Sequence, residues 1–204
     1  MKLTIENMVY GADGLAHDDS GKAVFVQGAV KGDVVEAEIA SSGKSFSRAK
    51  ATKVLEPSPL RSTPPCPLVD VCGGCPWGNL SRAAQLEAKA SNVRDALERV
   101  GKFPSEDVDA ILQPIRSTNE DWGYRNKIEL APYMDKGKLR FGMHGKDENV
   151  MLPVKSCPLF EKKAAKAVSA AAGALGYLSN SRDLMLERVG IRASRRTGDV
   201  QIAL

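Results

Sequence analysis

Cysteine is scarce in this chain, with four in 204 residues. Histidine is scarcer, with two, and aromatic residues make up only 5%. No stretch approaches the roughly 18 consecutive apolar residues of a membrane span. The opening residues, MKLTIENMVYG, lack the apolar core of a secretory leader. These absences predict a cytoplasmic protein with no membrane partner, in which rare cysteines act as ligands or reactive thiols rather than as disulfides. What is present excludes disorder: 43% of residues are hydrophobic and 26% charged, enough to build and solvate a core. The formal net charge of +4 decides little, because the distribution of charge matters more than its sum.

The hydrophobic pattern divides the chain into segments. Residues 1–58 read as four or five short strands broken by glycine turns. Val24 and Val26 alternate with Phe25 and Gln27, and Val35, Ala37 and Ile39 alternate with Glu36 and Glu38. A period of two marks half-buried strands, and so few short ones suit a small five-stranded barrel of the OB type. Residues 59–80 hold a proline-rich linker and a cysteine loop. Residues 81–204 begin with a helix over 81–100, with Ser81 as N-cap and Gly101 just past the end. Its apolar stripe is Leu86, Ala90, Val93, Leu97 and Val100. Strands follow, with KIELAPYM and KLRFGMH flanking DKG as a hairpin. An alanine-rich helix over 160–175 stops near Gly176. LMLERVGIRAS and DVQIAL form a second ribbon, whose last strand runs to Leu204 and suggests a longer protein cut there. The expected class is α+β, mostly β, with a partial central antiparallel sheet.

Three of the four cysteines fall in CPLVDVCGGCPWG, with the spacing C-x5-C-x2-C, and the fourth is Cys157 in KSCPLF. In a C-x2-C pair, two residues of turn let both thiolates point at one metal. Gly73 and Gly74 fill that turn, permitting φ > 0 and a close approach of backbone N–H groups to sulfur. Cys66, Cys72, Cys75 and Cys157 are therefore candidate metal ligands. Structural zinc prefers paired knuckles or histidines, and neither His17 nor His144 sits at ligand spacing. Cys-Pro steps at 66, 75 and 157 favour a [4Fe–4S] cubane, with zinc and with buried or redox thiols as the other readings.

PSPLRSTPPCPLVDVCGGCPWGNLSRAAQLEAK, then WGYRNKIELAPY, then FGMHGKDENVMLPVKSCPLF, resemble the RNA (uracil-5-)-methyltransferases that carry an N-terminal TRAM domain. GADGLAHDDSGKAVFVQGAVKGDVVEAEI is similar to the TRAM barrel of those enzymes, and the four cysteines match the family's cluster ligands one for one. The resemblance implies a [4Fe–4S] cluster, an S-adenosylmethionine methyl donor, a uridine of rRNA, or secondly of tRNA, as substrate, and a monomeric intact enzyme.

Charge is uneven in a way that suits RNA. Lys44, Arg48, Lys50 and Lys53 occur with no acidic residue between them, and Phe46 sits among them. From Trp122 to Lys146, six Lys and Arg residues face Glu129 and Asp135. Cations can neutralise phosphates and interleaved aromatics can stack on bases. Lys44, Phe46, Arg48, Lys50, Arg125 and Lys127 are the candidate RNA contacts, whereas His144 reads as a structural or surface histidine. In the resembling family, a further cysteine attacks uracil C6 in a Rossmann-like C-terminal domain. Here no fifth cysteine and no glycine-rich strand-to-helix loop occur, so no catalytic residue is assigned. The resemblance thus predicts the front part of such an enzyme, lacking that domain and inactive by itself. The alternative is a stand-alone RNA-binding or redox-sensing module with an Fe–S cluster or zinc.

Overall fold

A computed structural model describes residues 1–118, 120–147, 149–180 and 184–204. The chain divides into two units: Met1–Pro64 with Pro76–Ser117, and Pro65–Cys75 with Thr118–Leu204. Among the described residues, no helix is long and apolar enough to cross a membrane.

The first unit contains β1 (Lys2–Thr4), β2 (Asn7–Met8), β3 (Gly14–His17), β4 (Ala23–Gln27), β5 (Val34–Ser42) and β6 (Phe46–Glu56). They form one six-stranded sheet in the order β1-β5-β6-β4-β3-β2, in which only β4 and β6 pair in parallel. The expectation of five strands is corrected here. The segment 2–8 breaks at Ile5–Glu6 and pairs in two directions. Leu3 lies opposite Val35 on β5, whereas Asn7 lies opposite Leu15 on β3. At the break, Ile5 N–H donates to Asp33 O and Glu6 N–H to Leu15 O. The two end strands of the sheet are thus one continuous piece of chain, which ties both edges together.

Val24, Val26, Val35, Ala37 and Ala49 point inward with Leu3, Ile5 and Ala16. The alternation fails at Ile39, which is 44% exposed. Between Ile39 and Ser41 the β5–β6 register shifts, and such an irregularity turns the side-chain direction.

Asp33 is 0% exposed and satisfies its carboxylate completely. It accepts from Val30 N–H (2.7 Å), Ser58 N–H (2.9 Å), and Arg61 Nε (2.9 Å) and Nη2 (2.7 Å). This pins the start of the proline-rich linker to the sheet. Arg61 then bridges Leu80, so the linker also pairs with the chain that returns before the next helix.

That helix, α1 (Arg82–Asp95), starts at Ser81, whose hydroxyl accepts from Ala84 N–H. A π-helical turn over Ala96–Val100 extends it. The left-handed residue at its end is Lys102 (φ 59°), not Gly101 (φ −73°). The predicted buried stripe is also corrected. Ala84 and Ala88 are buried against Met8, Val30 and Leu80, while Val93 is 49% and Val100 81% exposed. Alanine lets the helix approach the sheet more closely than valine or leucine would, so the valines face outward and Leu86 and Leu97 stay half-buried. Through this packing, α1 belongs to the same unit as the N-terminal sheet. A short α2 (Ser105–Ile111) completes the unit.

The second unit contains β7 (Lys127–Asp135), β8 (Lys138–His144), β9 (Met151–Pro153), β10 (Val189–Ala193) and β11 (Val200–Ala203). They form an antiparallel sheet in the order β11-β10-β7-β8-β9. At the β7–β8 turn, Lys136 (φ 49°) and Gly137 (φ 74°) both adopt positive φ, as a twist-matched two-residue hairpin requires. α3 (Ala167–Leu178) runs through Gly176 instead of stopping there. Its Val168, Ala171 and Leu175 pack into a core with Leu130, Phe141, Phe160 and Ile191.

Candidate metal centre and nucleic-acid face

All four cysteines belong to the second unit and all are free thiols. The loop that carries three of them folds on itself first. Val69 N–H donates to Cys66 O, and Cys72 N–H to Leu68 O at 2.7 Å. It then zips to the end of β8, with Gly73 N–H donating to His144 O (3.3 Å) and Lys146 N–H to Val71 O (2.8 Å). A Cβ on Gly73 would stand 3.0 Å from Gly145 O, so glycine is needed there for close approach. Neither Gly73 nor Gly74 has positive φ, which corrects the expected conformational role of this pair. The expected N–H to sulfur approach is present: Gly74 N–H lies 3.4 Å from Cys72 Sγ.

Arg125 connects this loop to the segment bearing Cys157. Its backbone N–H donates to Leu159 O (2.8 Å), and its carbonyl accepts from Glu161 N–H (2.9 Å). Its guanidinium Nη2 donates to Gly74 O at 3.0 Å. Phe160 N–H closes the Cys157 turn by donating to Cys157 O. The side chain expected to contact phosphate therefore has a positioning role that its sequence position does not reveal.

Burial pushes the Cys75 thiol up to about 11; negative charge on Cys157 adds to this, Arg125 opposes it, and Cys72 and Cys66 add further. Cys75 thus lies within electrostatic reach of the other three cysteines. Among the described residues, no group of three or more His, Cys, Asp or Glu side chains is placed to hold a metal ion. Clustered thiols that repel one another as thiolates lose that repulsion when a thiophilic cation displaces their protons. Beside the loop lies an open groove of about 680 Å³, lined by Cys72, Gly74, Arg125, Glu129, His144 and Asn149 among others.

The first unit holds the other candidate residues. Phe46, Arg48 and Lys50 occupy alternate, outward-facing positions of β6, and Lys44 lies in the turn before it. The Arg48 guanidinium carbon sits 5.8 Å from the ring centres of both Phe25 and Phe46. The two rings meet edge to face at 5.4 Å. Arg48 also pairs with Asp13 at 3.4 Å. Phe25 was absent from the sequence-derived set. Its signal was nevertheless present, because an aromatic between two inward valines must face solvent. In the second unit, Lys127 is engaged by Glu129 at 2.7 Å, with Arg188 on the same carboxylate at 3.8 Å. The structure brings Lys44, Phe46, Arg48 and Lys50 together on one unit and places Arg125 and Lys127 on the other.

Comparison with known proteins gives this arrangement a context. No family model matches the chain. The chain is 32% identical, over 96% of its length, to a Gloeobacter violaceus protein described as an RNA methyltransferase, of which it covers 44%. It is 32% identical over 80% of its length to the 23S rRNA (uracil(1939)-C(5))-methyltransferase RlmD of a Shewanella species, of which it covers 36%. The chain thus spans less than half the length of these relatives. In fold it is similar to the Pyrococcus abyssi tRNA (uracil-54, C5)-methyltransferase, solved in complex with S-adenosyl-L-homocysteine. The TM-score is 0.65 at 20% identity, covering 98% of this chain and 44% of that one. This likeness overturns the expected fold class. Nearly the whole chain, mostly sheet and in two units, matches 44% of that solved chain, so its class is not one defined by an absent Rossmann-like domain. The expectation of an inactive front part likewise finds no support in these likenesses.

Proposed function

We propose that this chain serves the S-adenosylmethionine-dependent methylation of uridine C5 in RNA, with rRNA as the first substrate class and tRNA as the second. The observation that carries this reading is the gathering of Cys66, Cys72, Cys75 and Cys157 in one unit, on a chain whose relatives are RNA methyltransferases. The methyl group comes from S-adenosylmethionine, and the chain's own residues bind and orient RNA.

The six-stranded sheet acts as a TRAM-type RNA platform. Arg48 and Lys50, with Lys44, meet phosphates, while Phe25 and Phe46 offer ring faces to unpaired bases. Arg125 and Lys127 contribute from the second unit. The four cysteines fit a [4Fe–4S] cluster by donor chemistry: four free thiols, a Gly74 N–H on one sulfur, and a guanidinium beside them. When bound, such a cluster supplies a structural cross-link between the loop and the Cys157 segment. Arg125 makes the protein's own version of that link, holding the loop carbonyl of Gly74 while its backbone holds Leu159 and Glu161.

Deleting the gene that encodes the chain and measuring 5-methyluridine in rRNA and tRNA by nucleoside mass spectrometry tests the reading. Loss from rRNA is the expected outcome. Loss from tRNA alone would move the substrate to the second class, and unchanged levels in both would overturn the proposal.

A further inference from the structure

The outward stripe of α1 does not face open solvent alone. With the turn between β2 and β3 and the segment before α1, it walls a groove of about 700 Å³ within the first unit. Tyr10 stands at its rim, 93% exposed. An aromatic this exposed is usually mobile, yet the turn beneath it is fixed. Val9 N–H donates to Asp13 O (2.9 Å), and Ala12 N–H to Val9 O (3.0 Å). Trp77 packs partly on the cluster of Met8, Leu80 and Ala84, which sets its ring in place. Lys89 Nζ sits 5.8 Å from the centre of that ring. Asn92, Val93 and Leu97 complete the wall.

We propose that the groove walled by Tyr10, Trp77, Lys89, Asn92, Val93 and Leu97 is a second nucleobase site, distinct from the Phe25–Phe46 face. It takes one unpaired base of an RNA strand together with its phosphate. Two aromatic rings on rigid supports provide the stacking surfaces. The Asn92 amide offers both a donor and an acceptor to a base edge. Lys89 is the only charged side chain in the lining, so the groove is complementary to an anion. An apolar peptide would cover that charge without neutralising it, whereas a nucleotide brings its own phosphate. The inference rests on the reading that RNA is the ligand of this protein.

Trp77 and Trp122 are the two tryptophans, so Trp122→Phe leaves Trp77 as the single indole reporter. The variant is titrated with a short single-stranded oligouridylate and with an abasic strand of equal length. Binding is followed in parallel by the anisotropy of a labelled oligonucleotide, on wild-type protein as well. Saturable quenching of Trp77 by the oligouridylate, and little by the abasic strand, is the expected result. Tyr10→Ala, at an accessible position, should weaken binding at least about five-fold, the lower bound for losing one stacked base, and Lys89→Ala should weaken it by removing the phosphate partner and lower its salt dependence. Binding that leaves Trp77 unquenched and is indifferent to both variants would overturn the site while sparing the RNA reading. Quenching by an amphipathic peptide in place of RNA would overturn it in favour of a polypeptide partner. Absence of any oligonucleotide binding would remove both the site and the RNA reading.

Discussion

On β6, Phe46, Arg48 and Lys50 share a face because they are two residues apart, and the strand itself sets their spacing. The cysteine centre of the second unit is assembled differently. Its four cysteines come from two distant segments, which are held together because β8 receives the loop and Arg125 ties it to the Cys157 turn. A face built by one strand tolerates single losses, whereas a centre built by convergence depends on every tie. The two regions should therefore respond to substitution in opposite ways.

The largest effect is expected from Cys72→Ser. Anaerobically purified protein should show a broad absorption in the visible blue, and this variant should lose it completely. Oligonucleotide affinity of the first unit should change little. Stoichiometric zinc without iron in the wild type would refute the cluster assignment. Next comes Asp33→Ala, which strands Arg61 and two backbone N–H groups. Breaking a buried, hydrogen-bonded ion pair costs about 3–5 kcal/mol, and the partly exposed Arg61 places this one near the lower end. Urea unfolding should report the loss in the first unit while the blue absorption persists; a joint loss of both would erase the contrast between the regions.

Arg48→Ala should act more gently. It removes the cation over two rings and, with it, the proposed phosphate contact, so RNA affinity should fall about five-fold and the slope of affinity against salt by about one. Arg48→Lys should restore the salt slope but not the whole affinity, because lysine lacks the planar group that stacks on Phe25 and Phe46. Equal loss in both variants would mean that the rings take no part.

The smallest effect concerns acid. Glu161 is held below the ordinary carboxylate range, chiefly by the Lys163 N–H and then by Arg195, against the opposing pull of burial. A depressed pKa stabilises the fold above the unfolded-state value and loses that contribution as pH falls through the folded one. Glu161→Gln should therefore flatten the acid side of the second unit's stability profile and leave the first unit's unchanged. An unaltered acid midpoint would show that this pair contributes nothing.

Much of the architecture was legible in local chemistry. The DKG turn marked a hairpin, and alternation set Val24 and Val26 apart from Phe25 and Gln27. Other features had no local signature. The stripe of Leu86, Val93 and Leu97 looked like the buried face of α1, yet small Ala84 and Ala88 face the sheet. Hydrophobicity identifies which residues can be buried; the closeness of two backbones selects which ones are. Arg125 looked like any surface cation, because nothing in its neighbours reveals a loop fifty positions earlier in the chain.

Composition and spacing by themselves determined the strand periods and the turn chemistry, because each depends on residues within a few positions of one another, and they singled out four thiols simply because the chain has no others. Only tertiary structure decided that residues 2–8 serve both edges of one sheet, that α1 joins the first unit, and that Arg125 ties the loop of three cysteines to the segment after the fourth. Those outcomes depend on distances between segments far apart in sequence. Such distances are set by backbone pairing and close packing, which no local pattern encodes.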